Sequence, residues 1–226
     1  MSDDAAAPAP VAVSQCRFVA VHDEQGRRVV GIEDIVVDHA RGIAYLSAYD
    51  RRQPLDTTPK MPDRFLGAIL AVPIARMDQA RIAARTILPS GKSAAAPRPH
   101  GLELLIEPDG RRWLFTIDRQ YAMPRILTLA LTDDGFSAQA HKPPRAAPAL
   151  CHPNNIAAID HDRLFVSNDR GACSWLGLAA ENMLGLKRSF LAYLHAGAFS
   201  VAAGELFFAN GLAIDRLGPD RLDLAV

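Results

Sequence analysis

The sequence predicts an all-β fold built from repeated hairpins. Two observations carry this. Short apolar runs rich in aromatic and branched residues each follow a turn signal: Ile43-Ala-Tyr-Leu-Ser-Ala after His39-Ala-Arg-Gly, Trp113-Leu-Phe-Thr-Ile after Glu107-Pro-Asp-Gly, and Leu164-Phe-Val-Ser after Asp160-His-Asp-Arg. A second apolar run precedes each turn: Ile35-Val-Val, Leu102-Glu-Leu-Leu-Ile and Ile156-Ala-Ala-Ile. The local unit is therefore strand–turn–strand.

Four segments place a polar residue at the same point of this unit. They are Gly31-Ile-Glu-Asp-Ile, Arg98-Pro-His-Gly-Leu, His152-Pro-Asn-Asn-Ile and Phe208-Ala-Asn-Gly-Leu. Glu33, His100, Asn154 and Asn210 are thereby equivalent, and they are 67, 54 and 56 residues apart. Recurrence at this period suggests a repeat architecture, and four-stranded propeller blades run to about 40–50 residues or more. Residues 14–226 then make an incomplete β-propeller of about four to five blades. Gly211-Leu-Ala-Ile-Asp and Arg221-Leu-Asp-Leu-Ala-Val read as the first two strands of the fourth unit.

Between the third and fourth units, residues 176–196 have two readings. Leu178, Met183, Leu184, Leu186 and Leu191 fall loosely on a helical face, but a break at Gly185 is preferred. Ser189-Phe-Leu-Ala-Tyr-Leu is then a strand that turns at His195-Ala-Gly into Phe199-Ser-Val-Ala. Residues 50–64, 89–99 and 141–149 are proline-broken or Ala/Pro/basic connections, and residues 1–13 form an acidic, then Ala/Pro-rich arm expected to be disordered.

Composition excludes several classes of function. Apolar residues make up 49% and charged residues 22%, which supports a real core. The formal net charge is zero, so no nucleic-acid footprint is visible. No apolar run reaches the roughly 18 residues of a membrane span, and the N-terminus lacks the basic start and apolar centre of a standard signal peptide. A cytoplasmic location is the default expectation. Three cysteines (Cys16, Cys151, Cys173) without a CxxC pair read as small buried hydrophobes rather than a disulfide framework or thiolate zinc site, with a pairing of Cys16 as the alternative.

If the units surround an axis, their equivalent polar residues converge on it. Glu33, Asn154 and Asn210 are oxygen donors suited to a hard cation such as calcium. Asp34 and Asn155, the next residues along, point to the other side and suit a second, deeper ion. His100 is the candidate general base, with an ordinary pKa near 6.5. The remaining histidines (22, 39, 141, 152, 161 and 195) lie mostly at turns and read as solvent-facing. No GxSxG elbow, Walker loop, GxGxxG or HExxH occurs.

At these residues the chain resembles the paraoxonase/arylesterase family, within the calcium-dependent propeller superfamily that includes gluconolactonase-like and strictosidine synthase-like proteins. The carrying segments are Gly31-Ile-Glu-Asp-Ile with Gly42-Ile-Ala-Tyr-Leu-Ser, Pro99-His-Gly-Leu, Pro153-Asn-Asn-Ile-Ala-Ala-Ile with Val166-Ser-Asn-Asp, and Phe208-Ala-Asn-Gly-Leu-Ala-Ile. The resemblance spans roughly residues 17–215. It implies a six-bladed propeller with a catalytic calcium on Glu33, Asn154 and Asn210. It also implies a structural calcium on Asp34, Asn155 and the main-chain carbonyl of Leu102, with His100 as base. The implied reaction is hydrolysis of a small-molecule lactone or aryl ester.

Three departures accompany the resemblance. The family's second histidine falls at Arg119. Asn155 stands for an aspartate. The remaining catalytic-calcium ligands, an adjacent Asp-Asn pair, belong to a later blade, and Asp215, Asp220 and Asp223 do not match them. The alternatives are a non-catalytic calcium-binding or ligand-binding propeller-like module, and an inactive truncated form with exposed sheet edges. A homo-oligomer pairing those open edges would shield them.

Overall fold

The structure is a computed structural model that describes residues 17–52, 65–88, 97–119, 123–146, 150–218 and 221–226. The expected arm over residues 1–13, most of the loop at 50–64 and most of the connection at 89–99 lie outside the described residues. The first strands are β1 (Ala20–His22), β2 (Ile32–Asp38), β3 (Ile43–Tyr49), β4 (Gly67–Pro73), β5 (Arg81–Ala83) and β6 (Arg85–Leu88). They are followed by β7 (Pro99–Ile106), β8 (Arg112–Asp118), β9 (Arg125–Leu131), β10 (Ala138–Ala140) and β11 (Arg145–Ala146). Then come β12 (Pro153–Ala158), β13 (Arg163–Asn168), helix α1 (Trp175–Leu184), β14 (Ser189–His195), β15 (Ala198–Leu206), β16 (Ala213–Gly218) and β17 (Arg221–Ala225).

The fold is all-β, with α1 the single α-helix among the described residues. Three antiparallel sheets repeat one plan. Their orders are β2-β3-β4-β6, β7-β8-β9-β10 with β11 also on β9, and β12-β13-β14-β15. A fourth hairpin, β16-β17, follows, and β1 pairs in parallel with β5. The predicted hairpins are all present. Their tight turns use the expected chemistry: Gly42 and Gly110 take the left-handed φ values of +64° and +87°. In the third turn Asp160 Oδ1 accepts the Asp162 and Arg163 amides, each at 2.9 Å.

The sheets stack face to face. Ile43, Tyr45 and Ile69 of the first sheet pack on Leu102, Leu114 and Leu129 of the second. The other face of the second sheet, with Trp113, Phe115 and Ile117, packs on Ile156, Leu164 and Val166 of the third. The outer face of the first sheet is covered by Val21, Val29 and Ile82 near β1 and β5. Alternation along each strand explains this, because successive side chains serve opposite faces and both faces of the inner strands are buried.

Residues 176–196 divide at Gly185, as the sequence suggests. The part before Gly185 is helical: Ser174 Oγ accepts the Gly177 amide at 3.2 Å as the N-cap, and Gly185 closes the helix at φ +59°. Beyond it, β14 and β15 form a hairpin about Ala196 and Gly197, both at positive φ. The cysteine expectation is corrected for Cys151 and Cys173, while Cys16 lies outside the described residues. Cys151 and Cys173 form a disulfide, with Cα atoms 5.3 Å apart. Folding brings two residues 22 positions apart within bridging distance, a proximity that counting cysteines does not reveal.

Candidate functional site

The first strands of the three sheets lie side by side, β2 next to β7 and β7 next to β12. Each carries a register irregularity at the same place: between Ile32 and Asp34, between Pro99 and Leu102, and between Pro153 and Ile156. In each case the first strand holds one residue more than its partner. Such a bulge bends the strand and re-aims a side chain. The residues inside these bulges are Glu33, His100 with Gly101, and Asn154 with Asn155. The recurring polar position is therefore a recurring backbone feature.

Serine hydroxyls lock neighbouring units together at this level. Ser47 Oγ, in β3, donates to the main-chain carbonyl of His100. Ser167 Oγ, in β13, donates to the main-chain carbonyl of Asn210 at 2.9 Å. The two hydrogen bonds are alike in role: each reaches from the second strand of one unit to the polar residue that opens the next. Thr116, the corresponding residue of β8, is buried and its hydroxyl has no hydrogen-bond partner among the described residues.

His100, Asn154 and Asn210 line one cavity of about 470 Å³. Glu33 sits against it, with Oε2 3.2 Å from His100 Nδ1. All four equivalent residues are thus brought together. The structure adds residues that sequence reasoning did not assign to the site. Arg51 forms a two-pronged ion pair with the Glu33 carboxylate. Asp169 Oδ2 accepts a hydrogen bond from Asn154 Nδ2 at 3.1 Å. Arg98, Arg119 and His152 also line the cavity, so His152 is not purely solvent-facing. His161 is likewise half-buried, edge-on to Trp113 and 2.9 Å from Glu107 Oε1. A signal for Asp169 was present: Asp50, Asp118 and Asp169 recur at or just past the ends of β3, β8 and β13, and all three are buried.

Burial holds the His100 imidazole down to a pKa of about 4, with the charges of Arg119 and Arg51 acting in the same direction. The ring is therefore neutral at neutral pH. A neutral ring whose Nδ1–H faces Glu33 leaves the Nε2 lone pair to accept a proton. Burial also lowers His152. Phe208, two residues before Asn210, adopts φ +48° with the Arg170 guanidinium 3.9 Å from its ring centroid. A bulky residue in the left-handed region is strained.

The deeper set is also assembled. Asp34 Oδ2 accepts the Leu102 main-chain amide at 2.8 Å, and Oδ1 accepts the Ile35 amide at 2.8 Å. It is thus the Leu102 amide that engages Asp34. The Asp34 carboxyl pKa is raised, by burial first, against the opposing pull of the Leu102 and Ile35 amides. Asn155 Oδ1 accepts the Ile156 amide at 2.6 Å. Gly101 makes this approach possible, since a Cβ there would lie 2.6 Å from the Asn155 Cα and 2.7 Å from the Asn154 carbonyl oxygen.

The donors around the cavity fit a hard cation: the Glu33 and Asp169 carboxylates and the side-chain oxygens of Asn154 and Asn210. Arg51 occupies Glu33 in the meantime, so an entering cation competes with a guanidinium. No group of three or more His, Cys, Asp and Glu able to hold a metal occurs among the described residues. The candidate set is half amide. Asp215 and Asp223 are register partners in β16-β17 and do not line the cavity, and Asp220 lies outside the described residues.

No family model matches the chain, and no curated protein matches it. Among solved structures, the chain is similar to a GH43 beta 1,3 galactosidase at 11% identity and a TM-score of 0.39. The match covers 82% of this chain and 48% of that one, so the chain spans about half of that structure. Among the described residues no helix is long and apolar enough to cross a membrane.

Proposed function

We propose that this chain is a calcium-dependent hydrolase of lactones or aryl esters, built on part of a six-bladed type of β-propeller. The observation that carries the reading is the convergence of Glu33, His100, Asn154 and Asn210, from four successive units, on one cavity. Three stacked sheets of one plan and a fourth hairpin are consistent with propeller blades.

In this reading Glu33, Asn154 and Asn210 hold the catalytic ion, and Asp169 supports Asn154. Bound calcium would supply Lewis-acid polarisation of the ester carbonyl and charge for the developing oxyanion. His100 accepts a proton from the attacking water at Nε2, while Glu33 faces its Nδ1 and sets the tautomer. The acyl C–O bond then breaks, and the leaving oxygen takes a proton from the imidazolium or from water. Buried walls around His100 keep the ring uncharged until that step. Asp34, Asn155 and Leu102 tie the three inner strands beneath the site, where the second, structural ion is proposed.

One observation favours a second reading. The two-pronged pair of Arg51 with Glu33 neutralises a carboxylate the ion needs, which suits a ligand-binding module without turnover. Thermal unfolding with calcium, with magnesium and with a chelator separates the two. A calcium-specific upshift together with phenyl acetate or lactone hydrolysis supports the hydrolase. A cooperative transition indifferent to calcium would transfer the site to the binding-module reading.

A further inference from the structure

We propose that the substrate of this site carries a carboxylate, and that Arg119 is the residue that docks it. The inference rests on the hydrolase reading for the word substrate, and on the charge layout of the cavity for the carboxylate. Three arginines, Arg51, Arg98 and Arg119, line the cavity beside a single acidic residue, Asp169. Glu33 adds a second carboxylate beside it, but that group is engaged by Arg51. Asp169 is engaged by Asn154. The nearby Asp118 accepts the Arg98 main-chain amide and pairs with Arg125. No carboxylate among the described residues pairs with Arg119, which is half-buried and among the residues that line the cavity.

The Arg119 backbone is anchored. Its amide donates to the Arg98 carbonyl at 3.0 Å, at the end of β8. The same strand end is held by Arg125 on Asp118. Tyr49, Pro124 and Phe208 supply apolar walls around these charges. Walls of low polarity focus the field of a fixed cation and strengthen an ion pair made within them. A guanidinium presents two parallel N–H donors that match a carboxylate, which an ammonium cannot do. The opening that this leaves is for a small molecule with an ester or lactone at His100 and a carboxylate reaching toward Arg119. A cation bound at Glu33 would add positive charge and favour the same class of ligand.

The test has a binding arm and a turnover arm. Succinate is titrated against calcium-free protein by calorimetry, with neutral succinamide as control, for wild type, Arg119→Gln and Arg119→Lys. Removing one charged hydrogen-bonding partner is expected to weaken succinate binding by about tenfold or more. The lysine variant should fall between, and succinamide should not bind. In the turnover arm, with calcium, the monophenyl ester of succinic acid is compared with phenyl acetate. The ratio of their kcat/KM values should favour the acidic ester and shrink by a similar factor in Arg119→Gln. Succinate binding that is absent, or equal in wild type and Arg119→Gln, overturns the proposal even if phenyl acetate is hydrolysed. Succinate binding that depends on Arg119, with neither ester hydrolysed, upholds the carboxylate site and overturns the hydrolase reading instead.

Discussion

Glu33 Oε2 lies 3.2 Å from Nδ1 of His100, although the two residues belong to different sheets. The Glu33 side chain is almost fully buried at 4% exposure, so this is an interior contact. Arg51 engages both oxygens of the Glu33 carboxylate, including the Oε2 that faces His100, and its positive charge offsets the pull of the carboxylate on the imidazole. Burial and the charges of Arg119 and Arg51 then prevail, and His100 stays neutral. Carboxylate, imidazole and guanidinium thus form one coupled unit, and substitutions within it should separate metal binding from turnover.

Glu33→Gln and Asn210→Ala should each abolish calcium-dependent stabilisation. For an intact site, about 2.7 kcal/mol of stabilisation is expected at a hundredfold excess over Kd. Differential scanning calorimetry with and without calcium reads this directly. An unchanged calcium response in both variants would remove these residues from the site.

His100→Asn should lower ester or lactone turnover by about 10²–10⁴-fold while leaving the calcium upshift in place. The amide cannot accept the proton that the imidazole takes. Full residual activity would dismiss the base role, and lost calcium binding would make His100 a structural support of the ligands.

Stability should fall as pH is lowered from the ordinary histidine range toward about 4. The unfolded chain binds a proton at His100 near pH 6.5, whereas the folded chain resists it until pH is about 4. Between those values the unfolded state holds more protons, so protonation favours unfolding, with a limiting slope of about 1.4 kcal/mol per pH unit. Urea melts across this window in wild type and His100→Asn would show it: the variant's profile should be flatter there, and identical profiles would refute the assignment.

Gly101→Ala should destabilise the fold by about 1–3 kcal/mol. The added methyl would meet the Asn155 Cα at 2.6 Å and the Asn154 carbonyl at 2.7 Å, which are backbone atoms that a rotamer change cannot move. β7 and β12 must separate to admit it, so the calcium response should weaken with the melting temperature. A neutral effect would mean that the inner strands are not so closely held.

Removing the disulfide with Cys151→Ser and Cys173→Ser together should cost about 3 kcal/mol through the entropy of a loop of this length. Cys151 lines the cavity and Cys173 precedes the N-cap of α1, so the bridge pins the entry to β12 to the helix. Reduction of the wild type should reproduce the effect in a thermal melt, and equal melting temperatures would show the bridge to be energetically idle.

The strands were legible because their signals are local. Residues 43–48, 113–117 and 164–167 each read as a strand from composition and the turn before it, and Gly185 read as a break ahead of the strand that begins at Ser189. The equivalence of Glu33, His100, Asn154 and Asn210 was also legible from their shared place in the repeat, and at Glu33, His100 and Asn154 a bulge that re-aims the side chain recurs with it. By itself, then, the sequence determined the all-β class, the hairpin unit and the four positions that face one another. Only the tertiary structure decided which charges meet there. Arg51 on Glu33, Asp169 on Asn154, the cavity position of Arg119 and the Cys151–Cys173 bridge all depend on where separate loops end after the sheets stack. Periodicity along the chain reports which side of a strand a residue takes, while pairing across loops is set by distances that no local pattern encodes.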